Sequence, residues 1–288
     1  MYGLLFLAIV QIIVEVLPIS SSGHMRIAGL LASRFGYSLP MQPHYFDEFL
    51  HTFTLVAMLI FFRHIWMPVL ARLCAMVGSW WQKKPLRDSQ KKLRLMVLHI
   101  AGYVLLCSLI TIAGYLLIKA FNIDMLLDAQ PVLLGAGFGL TGLLLVLTSL
   151  LPQETTLQQS KPMGITILIA MAQLGACLLP GVSRFASTVF MGRLLGVSIR
   201  RSLQWSWLIF MPLMAAAGLV HGVGAFVLHD HNWFVFQPGF LAGCGLVTIV
   251  SYGLFAGVLR LFQTGRSWLI GLYMLLPVLV LLFCTVKG

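Results

Sequence analysis

Charge is what this chain has least of. Of 288 residues only 9% are Asp, Glu, Lys or Arg, and just eight are acidic. Water-soluble domains typically carry about 25% charged residues, so a soluble globular domain is excluded. Cysteine is sparse and scattered: Cys74, Cys107, Cys177, Cys244 and Cys284 stand singly in apolar segments, without CxxC or ligand spacing. That pattern argues against a disulfide framework and against a zinc site. A signal peptide is not expected either, because the first apolar run carries Gln11 and Glu15 and has no basic n-region or small-residue cleavage site. What remains is 59% apolar with a mean hydropathy of +0.95, the composition of an integral membrane protein. The net charge of +11 does not imply a nucleic-acid partner, since basic residues in a membrane chain first set topology.

Runs long enough to span a bilayer, roughly 20 residues each, fall near 45–62, 95–118, 131–151, 203–228, 238–259 and 267–286. Two more apolar runs, 3–17 and 163–179, are short and end at Pro18 and Pro180. Each is followed by Ser and Gly and then by a second short helical stretch. Interrupted segments at matching positions of two halves point to broken helices and a binding site. The expected fold is therefore an all-α polytopic membrane protein in one integral domain (1–288), with six transmembrane helices and two re-entrant helical hairpins in an inverted-topology repeat. Repeat one covers 1–151 with its hairpin at about 3–35, and repeat two covers 163–288 with its hairpin at about 163–199. With the amino terminus outside, 14 of the 19 basic residues fall on one side. Four (Arg26, Arg34, Lys119 and Lys287) fall on the other, and Arg184 lies within the membrane. The richer side is assigned to the cytoplasm, which makes 63–94 a basic cytoplasmic loop. Three spans separate the hairpins, so they enter from opposite faces.

The two interrupted segments share a pattern. Gln11, Pro18 and Ser21 are matched by Gln173, Pro180 and Ser183 at a constant offset of 162. The first copy carries an acid, Glu15, and the second a base, Arg184. Charges inside hydrocarbon are costly and usually mark a site facing a partner or a wet cavity. An acid in one copy and a base in the other suggest one site built from two halves. Gln11 and Glu15 are four apart and share a helix face; for Gln11 a packing role competes. Arg184 is the natural cation for Glu15, or else shares an anionic ligand with it.

Ser20, Ser21 and Ser22 after Pro18, and Ser183 after Pro180, look like N-caps with free backbone N–H groups and the positive end of a helix dipole. Two such ends meeting make an anion site, and an Arg fork suits phosphate oxygens. His24, three residues after Ser21, puts an imidazole near the hydroxyls for nucleophile activation or proton transfer. His44, Asp47, Glu48 and His51 have helical spacing that can ligate a metal, but read more simply as the wet end of a span. The 229–231 stretch, His-Asp-His, reads as an exposed outer loop.

At these residues the chain resembles the undecaprenyl diphosphate phosphatase family, the bacitracin-resistance type of integral lipid phosphatase. That family carries an (E/Q)xxxE motif leading into LPxSSxGH, matched by Gln11, Glu15, Leu17, Pro18, Ser20, Ser21, Gly23 and His24. Its second motif, PGxSRSxxT, is matched by Pro180, Gly181, Ser183, Arg184 and Thr188. Phe46, Asp47, Leu50 and His51, with Phe62 and Arg63 beyond, follow its FDxxLHxGT…FR span. Gly192, Gly196, Arg200, Ser206 and Pro212 follow its downstream pattern. Phe185 and Phe53 depart from it, placing large rings where the family has serine and glycine; both bear on substrate preference.

The resemblance implies recycling of the bacterial cell-wall lipid carrier. The reaction would be hydrolysis of a C55 isoprenyl diphosphate to the monophosphate and inorganic phosphate in the bacterial inner membrane, from a site open to the periplasmic or outer face. Arg184 would clamp the diphosphate with Ser183, Thr188 and Gly181, and with Gln11, Ser20 and Ser22 on the other hairpin. Ser21 or His24 would attack phosphorus, with Ser21 preferred and His24 as its acid–base partner. Glu15 would orient the nucleophile or hold a divalent cation, Mg²⁺ or Ca²⁺. The partners implied are the lipid substrate and the bilayer, and a homodimer is compatible with both. Two other readings stand beside this one: a lipid-phosphate transporter or flippase using the same inverted-repeat site, and a phosphatase for another lipid diphosphate.

Overall fold

A computed structural model of the chain describes residues 2–37, 46–81, 88–121, 130–152, 162–218 and 237–286. Within these the protein is all helical. The first half contributes α1 (Tyr2–Val16), α2 (Ser21–Arg34), α3 (Phe46–Phe61), α4 (Arg63–Trp81), α5 (Asp88–Ala120) and α6 (Pro131–Leu150). The second contributes α7 (Pro162–Leu178), α8 (Arg184–Leu194), α9 (Ile199–Ala215), α10 (Pro238–Gln263), α11 (Trp268–Tyr273) and α12 (Leu275–Val286).

Four stretches are long and apolar enough to cross a membrane: α5, α6, α10 and the combined 268–285 run. A fifth arises if the α3–α4 pair, bent by 79°, is taken as one span. At 1.5 Å per residue the 33 residues of α5 reach about 50 Å, well past a hydrocarbon core of about 30 Å. Its first turns, with Lys91, Lys92 and Arg94, can therefore stand clear of lipid. Leu105, Leu109 and Leu116 of α5, Leu246 and Ile249 of α10, and Leu279 and Leu282 of α12 all point outward. An apolar exterior is what a bilayer solvates. Hydroxyls within these helices bond to their own backbone, as Ser108 does to the Val104 carbonyl, Thr111 to Cys107 and Ser251 to Val247. Hydrocarbon offers no competing partner.

One expectation changes, and two fall partly or wholly outside the described residues. The stretch 63–81, expected as the first part of a basic loop, is the helix α4, and its Met67, Leu70 and Val77 are exposed. Its apolar residues recur often enough to sustain a helix even though it carries Arg63 and Arg72. Residues 82–87 lie outside the described residues. The span expected at 203–228 is described only as far as 218, with α9 ending at Ala215, and the outer loop expected at 229–231 likewise lies outside the described residues.

The packing is exchanged between the two halves. Helix α1 lies on α10 as α7 lies on α5; α2 touches α12 as α8 touches α6; α3 packs on α10 as α9 packs on α5. α3 also meets α9, and α6 meets α11. A core of Phe62, Phe138, Leu145, Trp207, Phe255 and Phe262, among others, draws on both halves. The residues that carry the paired motifs sit against this core.

Candidate active site

The helices α1 and α7 break for local reasons. Pro18 disfavours helical geometry in the residue before it and has no N–H to donate, and α1 ends at Val16. In the second copy Gly181 adopts φ +84, a left-handed conformation open to glycine. Each chain then restarts on a serine N-cap. Ser20 (φ −83, ψ 109) accepts from the Gly23 N–H at 3.3 Å. Ser183 (φ −81, ψ 118) accepts from the Ala186 N–H at 3.2 Å. The backbones match, so the structural counterpart of Ser183 is Ser20, not Ser21. The second break is one residue longer, and the offset of 162 before it becomes 163 after it. Ser21 is the first residue of α2, and Ser22 is exposed with its hydroxyl 3.5 Å from that of Ser20.

Helix α6 brings the two breaks together. A Cβ on Gly23 would meet the Phe138 ring at 2.7 Å, and one on Gly181 would come within 3.1 Å of the Phe138 backbone nitrogen. One residue earlier, a Cβ on Gly137 would lie 1.9 Å from the Pro180 carbonyl oxygen. Thr141 completes the clamp: its hydroxyl donates to the Gly181 carbonyl at 3.1 Å and accepts the Ser183 N–H at 2.9 Å. Both motif segments thus rest on neighbouring turns of one helix. Gly137→Ala is expected to force these backbones apart at about 1–3 kcal/mol of overpacking. The check is a lowered unfolding temperature of the detergent-solubilised protein, together with lost activity.

Glu15 lies in the buried stripe of α1 with Gln11. Of the two relations expected between Glu15 and Arg184, direct pairing is not found: the contacts of Glu15 are on α3. Thr54 donates to Oε2 at 3.0 Å, and His51 Nδ1 lies 2.5 Å from Oε1. The contact brings the imidazole of α3 against the carboxylate of α1. The helical register of α3 explains the change: His51 and Thr54 are three apart and share one face, turned to α1. His51 thus lies against Glu15, a candidate site residue. His44 lies outside the described residues, as do the side chains of Asp47 and Glu48. Gln11 is 3% exposed, and its Oε1 has no hydrogen-bond partner among the described residues. Gln173, its counterpart, donates to Thr111 at 3.0 Å and ties α7 to α5.

His24 Nδ1 lies 2.6 Å from the Ser20 carbonyl, and Nε2 3.2 Å from the Tyr273 hydroxyl. A carbonyl only accepts, so Nδ1 carries a proton. In the neutral ring Nε2 then holds the lone pair that a base or nucleophile needs. The Phe138 ring meets the imidazole edge-on at 5.1 Å. No hydrogen bond joins Ser21 to His24 here: both ring nitrogens are engaged elsewhere.

Arg184 opens α8, half-buried, its guanidinium 4.8 Å over the Phe210 ring. No carboxylate pairs with it among the described residues. Besides Phe210 its side chain neighbours the Cys177 thiol, and a guanidinium without a carboxylate at a helix N-terminus has the charge and geometry to take an anion. Thr188 donates back to the Arg184 and Phe185 carbonyls, so its proton serves the first turn of α8. Arg193 is buried and bonds to the Val197, Leu151 and Pro152 carbonyls, securing the end of α6.

The family model described as "Bacitracin resistance protein BacA" matches residues 4–280. The chain belongs to that BacA family. Among curated relatives, it is 31% identical over 271 residues to a protein named undecaprenyl-diphosphatase from Desulfosudis oleivorans, covering 93% of this chain and 92% of the relative. It is also 31% identical over 258 residues to one of that name from Geobacter metallireducens (89% and 88% covered). A third, from Rubrobacter xylanophilus, is 30% identical over 246 residues (82% and 81% covered).

Both departures of this BacA-family chain go into packing. Phe185 stacks on Trp207 at 5.1 Å, and Phe53 meets Phe49 edge-on at 5.6 Å. Tyr273 and Thr141 are members of the site that motif reading misses. Each is a single polar residue in an apolar run, and only the tertiary contact reveals its partner. Among the described residues, no three His, Cys, Asp or Glu side chains converge as a metal cluster. On α1 the oxygen donors are the Glu15 carboxylate, already contacted by Thr54 and His51, and the Gln11 Oε1, which has no partner among the described residues.

Proposed function

We propose that this protein hydrolyses undecaprenyl diphosphate to undecaprenyl phosphate and inorganic phosphate. The observation that carries the reading is the meeting of the two helix breaks on α6, one followed by a lone-pair imidazole at His24 and the other by the guanidinium of Arg184. The name printed for its relatives supplies the substrate. Arg184 and the N–H groups opening α8 bind the terminal phosphate, where positive partial charge collects. His24 Nε2 either attacks phosphorus or takes the proton from the Ser21 hydroxyl as that oxygen attacks. The bond between the terminal phosphorus and the bridging oxygen breaks, leaving the lipid monophosphate. Water then releases inorganic phosphate from the enzyme. Buried Glu15, held by His51 and Thr54, sets the charge beneath the break.

A divalent cation fits this donor set only with help. Mg²⁺ commonly takes one or two carboxylates and completes its shell with water and substrate phosphates. Glu15 and Gln11 would hold such an ion, and when bound it would neutralise phosphate charge.

The same reading places the chain in the bacterial inner membrane as a six-span inverted repeat with re-entrant hairpins at α1–α2 and α7–α8. The exchanged packing of the halves and the excess of basic residues on one side support it. The site would open to the outer face. A transporter needs the anion clamp but has no use for an oriented imidazole, so hydrolysis is the better account. A different lipid chain is not favoured by Phe185 or Phe53, whose rings are absorbed in packing.

The test is phosphate release by purified protein from C55 and shorter isoprenyl diphosphates, with and without chelator. Release that is fastest on the C55 lipid and weakened by chelator supports the proposal. No release, with labelled lipid phosphate moved between leaflets, would replace it with transport.

A further inference from the structure

We propose that Tyr273 is a positioning residue for His24, supplied to the first motif by the second half of the chain. This role rests on the hydrolytic reading above and deepens it. The Tyr273 ring lies parallel to the imidazole, 4° between planes and 5.9 Å between centroids. Its hydroxyl reaches Nε2 at 3.2 Å, on the atom that must handle the proton or the phosphorus.

Three features separate this from ordinary packing. First, Tyr273 is 41% exposed, so its burial is not what places it there. Second, the backbone that carries it is tightly held. A Cβ on Gly271 would come within 2.8 Å of the Gly142 carbonyl oxygen, and Ser267 donates to the Leu145 carbonyl at 2.9 Å. Helix α11 is thereby locked to α6, the same helix that carries Phe138 against His24. Third, a phenol both donates and accepts. With Nδ1 committed to the Ser20 carbonyl, the hydroxyl donates to Nε2 while the ring rests neutral, yields that lone pair as it reacts, and accepts from Nε2–H once the ring is protonated. One residue thus keeps the imidazole plane fixed through both states of a proton cycle, which an apolar neighbour cannot do.

Orientation of a catalytic group is felt in turnover rather than in substrate affinity. Tyr273→Phe retains the stacked ring and loses only the hydroxyl. It is expected to lower kcat about ten-fold, the scale of one hydrogen bond, with KM unchanged. Tyr273→Leu removes the stack as well and is expected to cost about a hundred-fold in kcat on the same scale. The independent readout is ¹⁵N NMR of protein labelled at histidine, with His24→Ala assigning the signal. The unprotonated ring nitrogen of His24 is expected to move downfield in Tyr273→Phe as its donor is lost. A Phe variant with wild-type kcat and an unmoved nitrogen resonance overturns the proposal. Wild-type protein that releases no phosphate overturns the hydrolytic reading instead, and the resonance still decides the His24–Tyr273 contact: movement supports it and stasis refutes it.

Discussion

Arg184→Ala should abolish phosphate release while leaving the protein inserted and folded. The guanidinium contributes no ion pair to the fold among the described residues and stacks over Phe210 at 4.8 Å. Its loss therefore leaves no buried carboxylate uncompensated, and stability should hardly move. Catalysis is another matter. Removing one preorganised charge-stabilising group from a water-poor site typically costs about 10²–10³ in rate. Arg184→Lys should recover only part of this, because an ammonium lacks the planar fork that grips two phosphate oxygens. The measurement is kcat on lipid diphosphate, alongside a chromatographic and thermal check that each variant is folded. Near-normal turnover in the Ala variant would remove Arg184 from the site.

His24→Ala should cost as much or more, about 10²–10⁴ in kcat by loss of proton transfer, yet retain binding of the lipid diphosphate. The anion clamp on α8 is untouched by this change, which is why binding and turnover should part. Ser21→Ala then distinguishes the two chemical schemes. If the Ser21 hydroxyl is the nucleophile, its loss should match that of His24, and the double variant should be little worse than the poorer single one. If Nε2 attacks phosphorus itself, Ser21→Ala should turn over at a rate close to wild type. The hydrogen bonds of His24 to the Ser20 carbonyl and to Tyr273, with none to Ser21, leave that comparison to kinetics. Two single variants that both hydrolyse normally would defeat the catalytic assignment altogether.

Much of this protein is legible in one dimension because the bilayer imposes a one-dimensional code. A scarcity of charge, apolar runs of about 20 residues and two short runs ending in proline are all local properties, since every backbone group in hydrocarbon must be satisfied within its own helix. The N-caps at Ser20 and Ser183 belong to the same class: a serine before a helix start bonds two or three residues along the chain. Glu15 and Arg184 stood out for the same reason, each being a charge where charge is expensive.

What pairs with those charges is not local, and there the sequence misleads. An acid in one motif and a base in the other invite a salt bridge, yet Glu15 takes His51 and Thr54, because α3 packs on α1 with that face inward. The one-residue difference between the breaks hid the equivalence of Ser20 and Ser183, since the chain can absorb an extra residue only where glycine permits φ +84. Tyr273, 249 positions from His24, has no signal in its neighbours. Its meaning depends on how closely α11 approaches α6, and that approach depends on Gly142 and Gly271 having no side chains. Periodicity and cost in lipid determine which residues are buried and where helices stop. Which polar groups then meet is decided by helix packing, because contacts between distant segments depend on register and approach that no local pattern encodes.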